Sequence, residues 1–301
     1  MSKQSISLRW SILLWLMLML SSILQAQPKP SASESSYQRA RGIVESGIKA
    51  LGGAEAISAI KSFTLTERRK GHDAFQNPTP GPPYVSYNRT EVLRVDFTNS
   101  RLWYELETID PHFVFGMLTI INGNQSYRGL LRSQTATQIT APSFNSNRYL
   151  LLRLPQYLLM DVLDERAASL RWLSNADLKG RKHEVVTFID RNNRQIALYF
   201  DSQTKLPTKY EYIFLDPVEG DTISEFAYNG YRDVGQFKVP TEMINRVGNQ
   251  AQHESRYEVQ FNPSFDEAAF ALPSKYQVIP PGPARNVAPY TMTEIAKDVY
   301  L

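Results

Sequence analysis

The sequence predicts a mainly β protein of the α+β class, a large antiparallel sheet curved into an unclosed half-barrel with helices across its concave side. Three observations lead there. Short segments rich in β-branched and aromatic residues follow one another from "SFTLTER" to "HESRYEVQF", broken by Asn, Gly, Asp and Pro. Within them, apolar residues alternate with polar ones: Leu93, Val95 and Phe97 share one face while Arg94 and Asp96 share the other, the mark of antiparallel strands with one wet and one buried face. No strand-helix-strand alternation calls for a parallel sheet.

At the N-terminus, Lys3 and Arg9 precede the apolar run "WSILLWLMLMLSSIL", and Ala26 offers a small residue for cleavage. The pattern is that of a secretory signal peptide over residues 1–26, the alternative being a retained anchor; the run is short for a span of roughly 20 residues. Without the leader's two cations the formal charge falls from +3 to +1. A near-neutral exported chain is a poor partner for nucleic acid, which is bound through clustered Lys and Arg. The one basic cluster, "ERRKGH" at Glu67 to His72, reads as a solvated turn. There is no cysteine, so disulfides, thiolate metal sites, a cysteine nucleophile and a lipidated N-terminal cysteine are excluded. The expected location is the periplasm or the exterior.

Residues 27–36 read as a Ser/Pro-rich linker, and the main domain is expected over residues 37–278. It opens on a helix whose apolar stripe is Ala40, Ile43, Val44, Gly47, Ile48 and Leu51, stopped by Gly52 and Gly53. A short second helix, "AEAISAI", follows. The strands of the first half come next. The second half repeats the theme as a meander, with alternation at Ile196, Leu198 and Phe200, at Tyr210, Tyr212 and Phe214, and at Tyr257, Val259 and Phe261.

Between the halves lies "NSNRYLLLRLPQYLLMDVLDERAASL", apolar nearly all round and therefore buried on more than one side or facing an apolar ligand. Pro155 should break or kink it near Leu154. Two readings stay open: a lid across the mouth of the sheet, or a core helix plugging a half-barrel.

Chemical motifs are sparse. His72, His112, His183 and His253 are scattered, "DPH" at Asp110 to His112 reads as a turn, and Ser126 in "GNQSYRG" has the wrong spacing for a nucleophile elbow. Asp161, Asp164 and Glu165 read as a solvated helix end. No catalytic residue, metal ligand or cofactor is assigned. What remains is concave β surface and a greasy helix, the ingredients of an apolar pocket. Its expected lining is Leu151, Leu154, Leu158 and Val162 from the helix, with Trp103, Phe115 and Tyr199 from the sheet.

The stretches "FDSQTKLPTKYEY", "YNGYRDVGQFKVPTEM" and "YEVQFNPSFDEAAFALP", with the entry "ALGGAEAISAIKSFT", resemble the LolA/LolB-like superfamily of periplasmic lipoprotein carriers. The resemblance covers roughly residues 37–276. Asp201 and Pro207, Gly235 and Pro240, and Asn262 and Pro263 are its structural punctuation. It implies an unclosed barrel lidded by helices around a cavity for acyl chains, hence a non-enzymatic binding module for a lipid or acylated lipoprotein, with an envelope protein or a hydrolase domain as further partners. The subgroup it resembles often precedes a metallo-β-lactamase-like hydrolase domain. Residues 279–301 accordingly read as a Pro-rich spacer, marked by Pro280, Pro281, Pro283 and Pro289, leading into the remnant of such a domain, with Val299, Tyr300 and Leu301 as an unpaired strand start. On that reading the chain is the accessory domain of a truncated zinc hydrolase. A purely structural envelope domain with a filled core is the third possibility.

Overall fold

In the computed structural model the described residues are 29–72, 82–140, 144–217, 219–281, 294–296 and 299–300. The segment expected as a signal peptide, residues 1–26, and most of the expected Pro-rich spacer, including Pro283, Pro289 and Leu301, lie outside them. Two helices open the fold, α1 (Ala32–Ala50) and α2 (Ala54–Ser58). The stripe from Ala40 to Ile48 is buried as its spacing predicts. Helix α1 starts earlier than the expected linker boundary: Ser31 caps it, its side chain accepting the Glu34 N–H. Serine followed three residues later by glutamate is a start signal legible in the sequence. Gly52 and Gly53, at φ 130° and 91°, make the stop in backbone that residues with a Cβ rarely adopt.

Six strands follow: β1 (Ser62–His72), β2 (Ser86–Asp96), β3 (Arg101–Ile109), β4 (Val114–Ile121), β5 (Tyr127–Leu130) and β6 (Thr135–Gln138). After the intervening helical segment come β7 (Arg171–Leu178), β8 (Arg181–Ile189), β9 (Gln195–Asp201), β10 (Pro207–Asp216), β11 (Gly220–Asn229), a small hairpin β12 (Arg232–Val234) and β13 (Phe237–Val239), β14 (Glu242–Val247), β15 (His253–Phe261) and β16 (Gln277–Ile279). Fourteen of these form one curved, unclosed sheet in the order β16-β6-β5-β4-β3-β2-β1-β15-β14-β11-β10-β9-β8-β7. Two meanders are thus joined where β15 returns to pair with β1, Leu65 opposite Val259. Accumulated right-handed twist gives so long a sheet a concave and a convex face. Every pairing in it is antiparallel except β16 with β6, a parallel contact that departs from the expected all-antiparallel sheet.

The interhalf segment is not one kinked helix. A 3-10 helix occupies Asn145–Arg153, Leu154 is extended, and α3 (Pro155–Asp164) begins on Pro155. A residue before proline is driven out of the α region, and proline at the first helical position loses no hydrogen bond. The break expected near Leu154 is there, and Pro155 also starts the helix that follows it.

The inner face carries the main core, in which α1 and α3 pack on Phe63, Leu65, Leu93, Val95, Leu198 and Phe200. The outer face of β3, β4 and β6 has a smaller core of its own. There Trp103, Leu118, Ile120 and Ala136 lie beneath Phe270 and Tyr276, brought back by the chain after β15. At the C-terminus, β17 (Glu294–Ala296) and β18 (Val299–Tyr300) pair with each other as a two-stranded ribbon, so Val299 and Tyr300 are not an unpaired strand start.

Candidate functional site

The alternation of β1 does not stop at its apolar half. Phe63 and Leu65 point inward, and two-residue periodicity carries Glu67 and Arg69 to the same face. Register then sets Glu67 directly opposite Glu91 on β2 and Tyr257 on β15, and Arg69 opposite Ser255. Two facing carboxylates, 1 % and 3 % exposed, repel unless cations answer them. Arg69 does so from the same strand, its Nε and Nη2 donating to Glu67 Oε1 at 2.9 and 2.6 Å. Ser255 Oγ donates to the same oxygen at 2.7 Å. The second cation, Arg153, comes from the last residue of the 3-10 helix. It reaches Glu67 Oε2 at 3.3 Å, pairs closely with Glu91, and donates to the Tyr104 hydroxyl at 3.3 Å. Tyr104 in turn donates to Glu91 Oε2 at 2.6 Å. "ERRKGH" is therefore no solvated turn: its first and third residues belong to a buried ionic cluster that fastens the interhalf segment to the sheet.

Burial pushes the Glu91 carboxyl up, but Arg153 and the Tyr104 hydroxyl outweigh it and hold the group below the usual carboxylate range. Burial would lower the Arg153 guanidinium; Glu91 and Glu67 reverse that and raise it. Burial, with Glu91 beside it, pushes the Tyr104 hydroxyl up to about 12. Glu91, Arg153 and Tyr104 thus keep their ordinary charge states near neutral pH.

Beside this cluster, between the interhalf segment and the sheet, is a cavity of about 600 Å³. Phe188, Ile196, Tyr210, Phe226, Met243 and Tyr257 form its wall, Leu152 and Leu158 its cover, and Glu67, Arg69 and Arg153 its polar end. Tyr210 and Phe226 lie stacked across β10 and β11 at 4.4 Å and 7°. Tyr210 and Tyr257 are raised well above their ordinary pKa by burial, which keeps both hydroxyls neutral. The buried Tyr228 hydroxyl, on the same inner face, has no hydrogen-bond partner among the described residues.

A second cleft of about 390 Å³ lies between Ile48 of α1, Ala54 of α2 and the side of α3 that carries Tyr157, Met160 and Leu163. Asp161 is not part of a solvated face. The β8–β9 turn, held by Asp190 accepting the Asn192 and Arg194 N–H groups, presents Arg191, whose Nε donates to Asp161 Oδ1 at 3.1 Å and whose Nη2 lies 2.8 Å from Glu165.

Of the residues expected to line a pocket, Leu158 faces the larger cavity and Leu151 the smaller cleft. Leu154 and Val162 are core, wholly enclosed between helix and sheet. The sheet residues are not brought to the cavity. Trp103 is on the outer face under Phe270, because Leu102 and Tyr104 occupy the inner one. Tyr199 also points outward, its hydroxyl donating to Glu211, since Leu198 and Phe200 point in. Phe115 is on the inner face but at the far end of β4, about half exposed. Ser126 is a turn residue, its hydroxyl donating to the Gly123 carbonyl and accepting the Asn122 N–H. Asp110 accepts the His112 N–H in the expected turn. Among the described residues no group of three or more His, Cys, Asp or Glu is placed to hold a metal ion, and no helix is long and apolar enough to cross a membrane.

No family model and no curated protein matches the chain by sequence. Solved structures similar in outline include a LolA superfamily protein from Nitrosomonas europaea, at 12 % identity over 77 % of this chain and 97 % of that one, with a TM-score of 0.46. A DUF1329 family protein from Desulfovibrio piger matches at 8 % identity over 76 % and 95 %, with a TM-score of 0.44. An uncharacterized conserved protein from Thermus thermophilus matches at 11 % over 81 % and 99 %, with a TM-score of 0.32. Likeness at this level transfers no residue's role, so the site's chemistry rests on this chain's own side chains.

Proposed function

We propose that this chain is a non-enzymatic binding module of the bacterial envelope that holds the apolar part of one ligand, a lipid chain, under the interhalf segment. The observation that carries this reading is the roughly 600 Å³ cavity with its aromatic wall and leucine cover. Its volume falls in the range of sites for a single small molecule, which favours one chain over the several of a multiply acylated lipoprotein. Burial of each methylene is favourable by about 0.8 kcal/mol, enough for useful affinity without directional recognition. A binding role also fits the polar groups at hand. A carboxylate such as Glu91, held ionised by a guanidinium, is a weak general base, and the cluster's evident work is to fasten the cover.

Extraction of the protein purified from its own envelope, followed by lipid mass spectrometry, is expected to return about one acyl-chain lipid per protein. Protein that is empty, and that remains so after incubation with lipid, would count for a structural domain instead. A second reading, an accessory domain to a zinc hydrolase, draws on the ribbon of β17 and β18, which among the described residues joins no part of the large sheet. It predicts an HxHxDH motif encoded downstream, which sequencing of the adjoining DNA would reveal or exclude.

A further inference from the structure

The two hollows around α3 share three lining residues, Leu152, Asp161 and Arg191. They are neighbours: α3 and the end of the 3-10 helix line both, and these three side chains are common to the two. Asp161 is the inner half of the divider, its side chain 10 % exposed; Arg191 reaches it from the β8–β9 turn and is itself 34 % exposed. Leu152 of the 3-10 helix completes the boundary. Apolar side chains flank it on either side, Leu158 and Phe188 in one hollow and Met160 and Leu163 in the other, while Asp190, Asn192 and Arg194 of the turn and Asp164 of α3 give each hollow a polar edge.

We propose that the Asp161–Arg191 pair and Leu152 form a partition that sets the length of chain the protein holds. With the pair closed, the aromatic cavity takes a chain that ends at the partition. With Arg191 displaced, the chain continues between α3 and α1 into the second cleft. The backbone on both sides need not move, because the partition hangs on one long side chain rooted in a turn and open to water. Displacing Arg191 costs the mostly buried Asp161 its cation, but each methylene that enters an apolar hollow strengthens binding by about fourfold. A few carbons beyond the partition are therefore enough to open it, so the pair biases selection toward shorter chains without forbidding longer ones.

This inference rests on the lipid-binding reading, and the test separates the two. The probe is a homologous series of saturated fatty acids, from octanoate to behenate, titrated calorimetrically into the full chain after delipidation. The wild-type protein is expected to gain about fourfold in affinity per methylene up to a chain length beyond which the gain flattens. Arg191→Ala and, independently, Leu152→Ala are expected to shift that flattening to acids several carbons longer, while Arg191→Lys, which can still face Asp161 and Glu165, stays near the wild-type length. Binding in all proteins with the same flattening point overturns the partition and leaves the carrier reading intact. Absence of binding for every acid in every variant overturns both.

Discussion

Arg153→Ala is expected to destabilise the fold by about 3–5 kcal/mol, seen as a fall of more than about 1 M in the urea midpoint. The size follows from what is left behind. Without Arg153, Glu91 keeps only the Tyr104 hydroxyl at hydrogen-bond distance, with Arg69 and Arg89 at 3.9 and 4.0 Å, and Glu67 depends on Arg69 and Ser255 alone. A buried carboxylate short of partners costs more than the pair contributed. The double variant Arg153→Met with Glu91→Gln removes the orphaned charge together with its cation, so it is expected to lie closer to the wild type than Arg153→Ala does. If the single variant melts at the wild-type midpoint, the cluster is not what fastens the 3-10 helix to the sheet.

The same cluster makes the protein acid-sensitive in a definite direction. Glu91 titrates lower in the folded protein than its ordinary value of 4.5. Its contribution is therefore complete above that value and is lost as pH falls through the folded value. Arg153, raised further by its partners, stays protonated throughout and adds no slope. Urea midpoints measured from neutral pH downward should fall more steeply below about pH 4.5 in the wild type than in Glu91→Gln; parallel curves would refute the assignment.

Much of the fold was legible because the inner face obeys simple periods. The stripe on α1, the Gly52–Gly53 stop and the alternations at Leu93–Val95 and Ile196–Leu198–Phe200 all reappear as core. The same alternation, carried further, would have put Tyr199 outside and Glu67 and Arg69 inside. It was overridden by the expectation that charge runs are solvated, a rule that fails when register sets carboxylates and guanidinia face to face. Trp103 was harder. In "RLWYELETI" Trp103 is buried on the outer face because residues 265–276 return to cover it, and that tertiary event leaves no local signature in β3. The parallel β16–β6 contact was hidden for the same reason. Arg153, the residue that fastens the cover, lies in a run of leucines and could be seen as important only once its partners from β1 and β2 were in place.

A second large effect is expected at the junction of α1, α3 and β9. Phe200 is fully buried, and a Cβ placed on Gly47 would lie 2.5 Å from its Cε1 and 3.0 Å from Leu159 Cδ1. Helix α1 can come this close to the sheet because position 47 has no side chain. Phe200→Ala is expected to cost about 3–5 kcal/mol, the loss typical of an emptied aromatic site. Gly47→Ala removes about 1 kcal/mol of helix-propensity penalty but overpacks the junction by about 1–3 kcal/mol, a net loss or near balance. In a Phe200→Leu background the tighter contact is relieved and only the one with Leu159 remains, so Gly47→Ala should there cost less or become stabilising. A double-mutant cycle by urea unfolding is expected to give a favourable coupling of about 1 kcal/mol or more. Additivity within about 0.5 kcal/mol would show that the helix can shift away from the ring. The closeness of α1 to the sheet would then not depend on Gly47, and the seat that α1 and β9 offer α3, the helix covering the cavity, would be looser than the contacts imply.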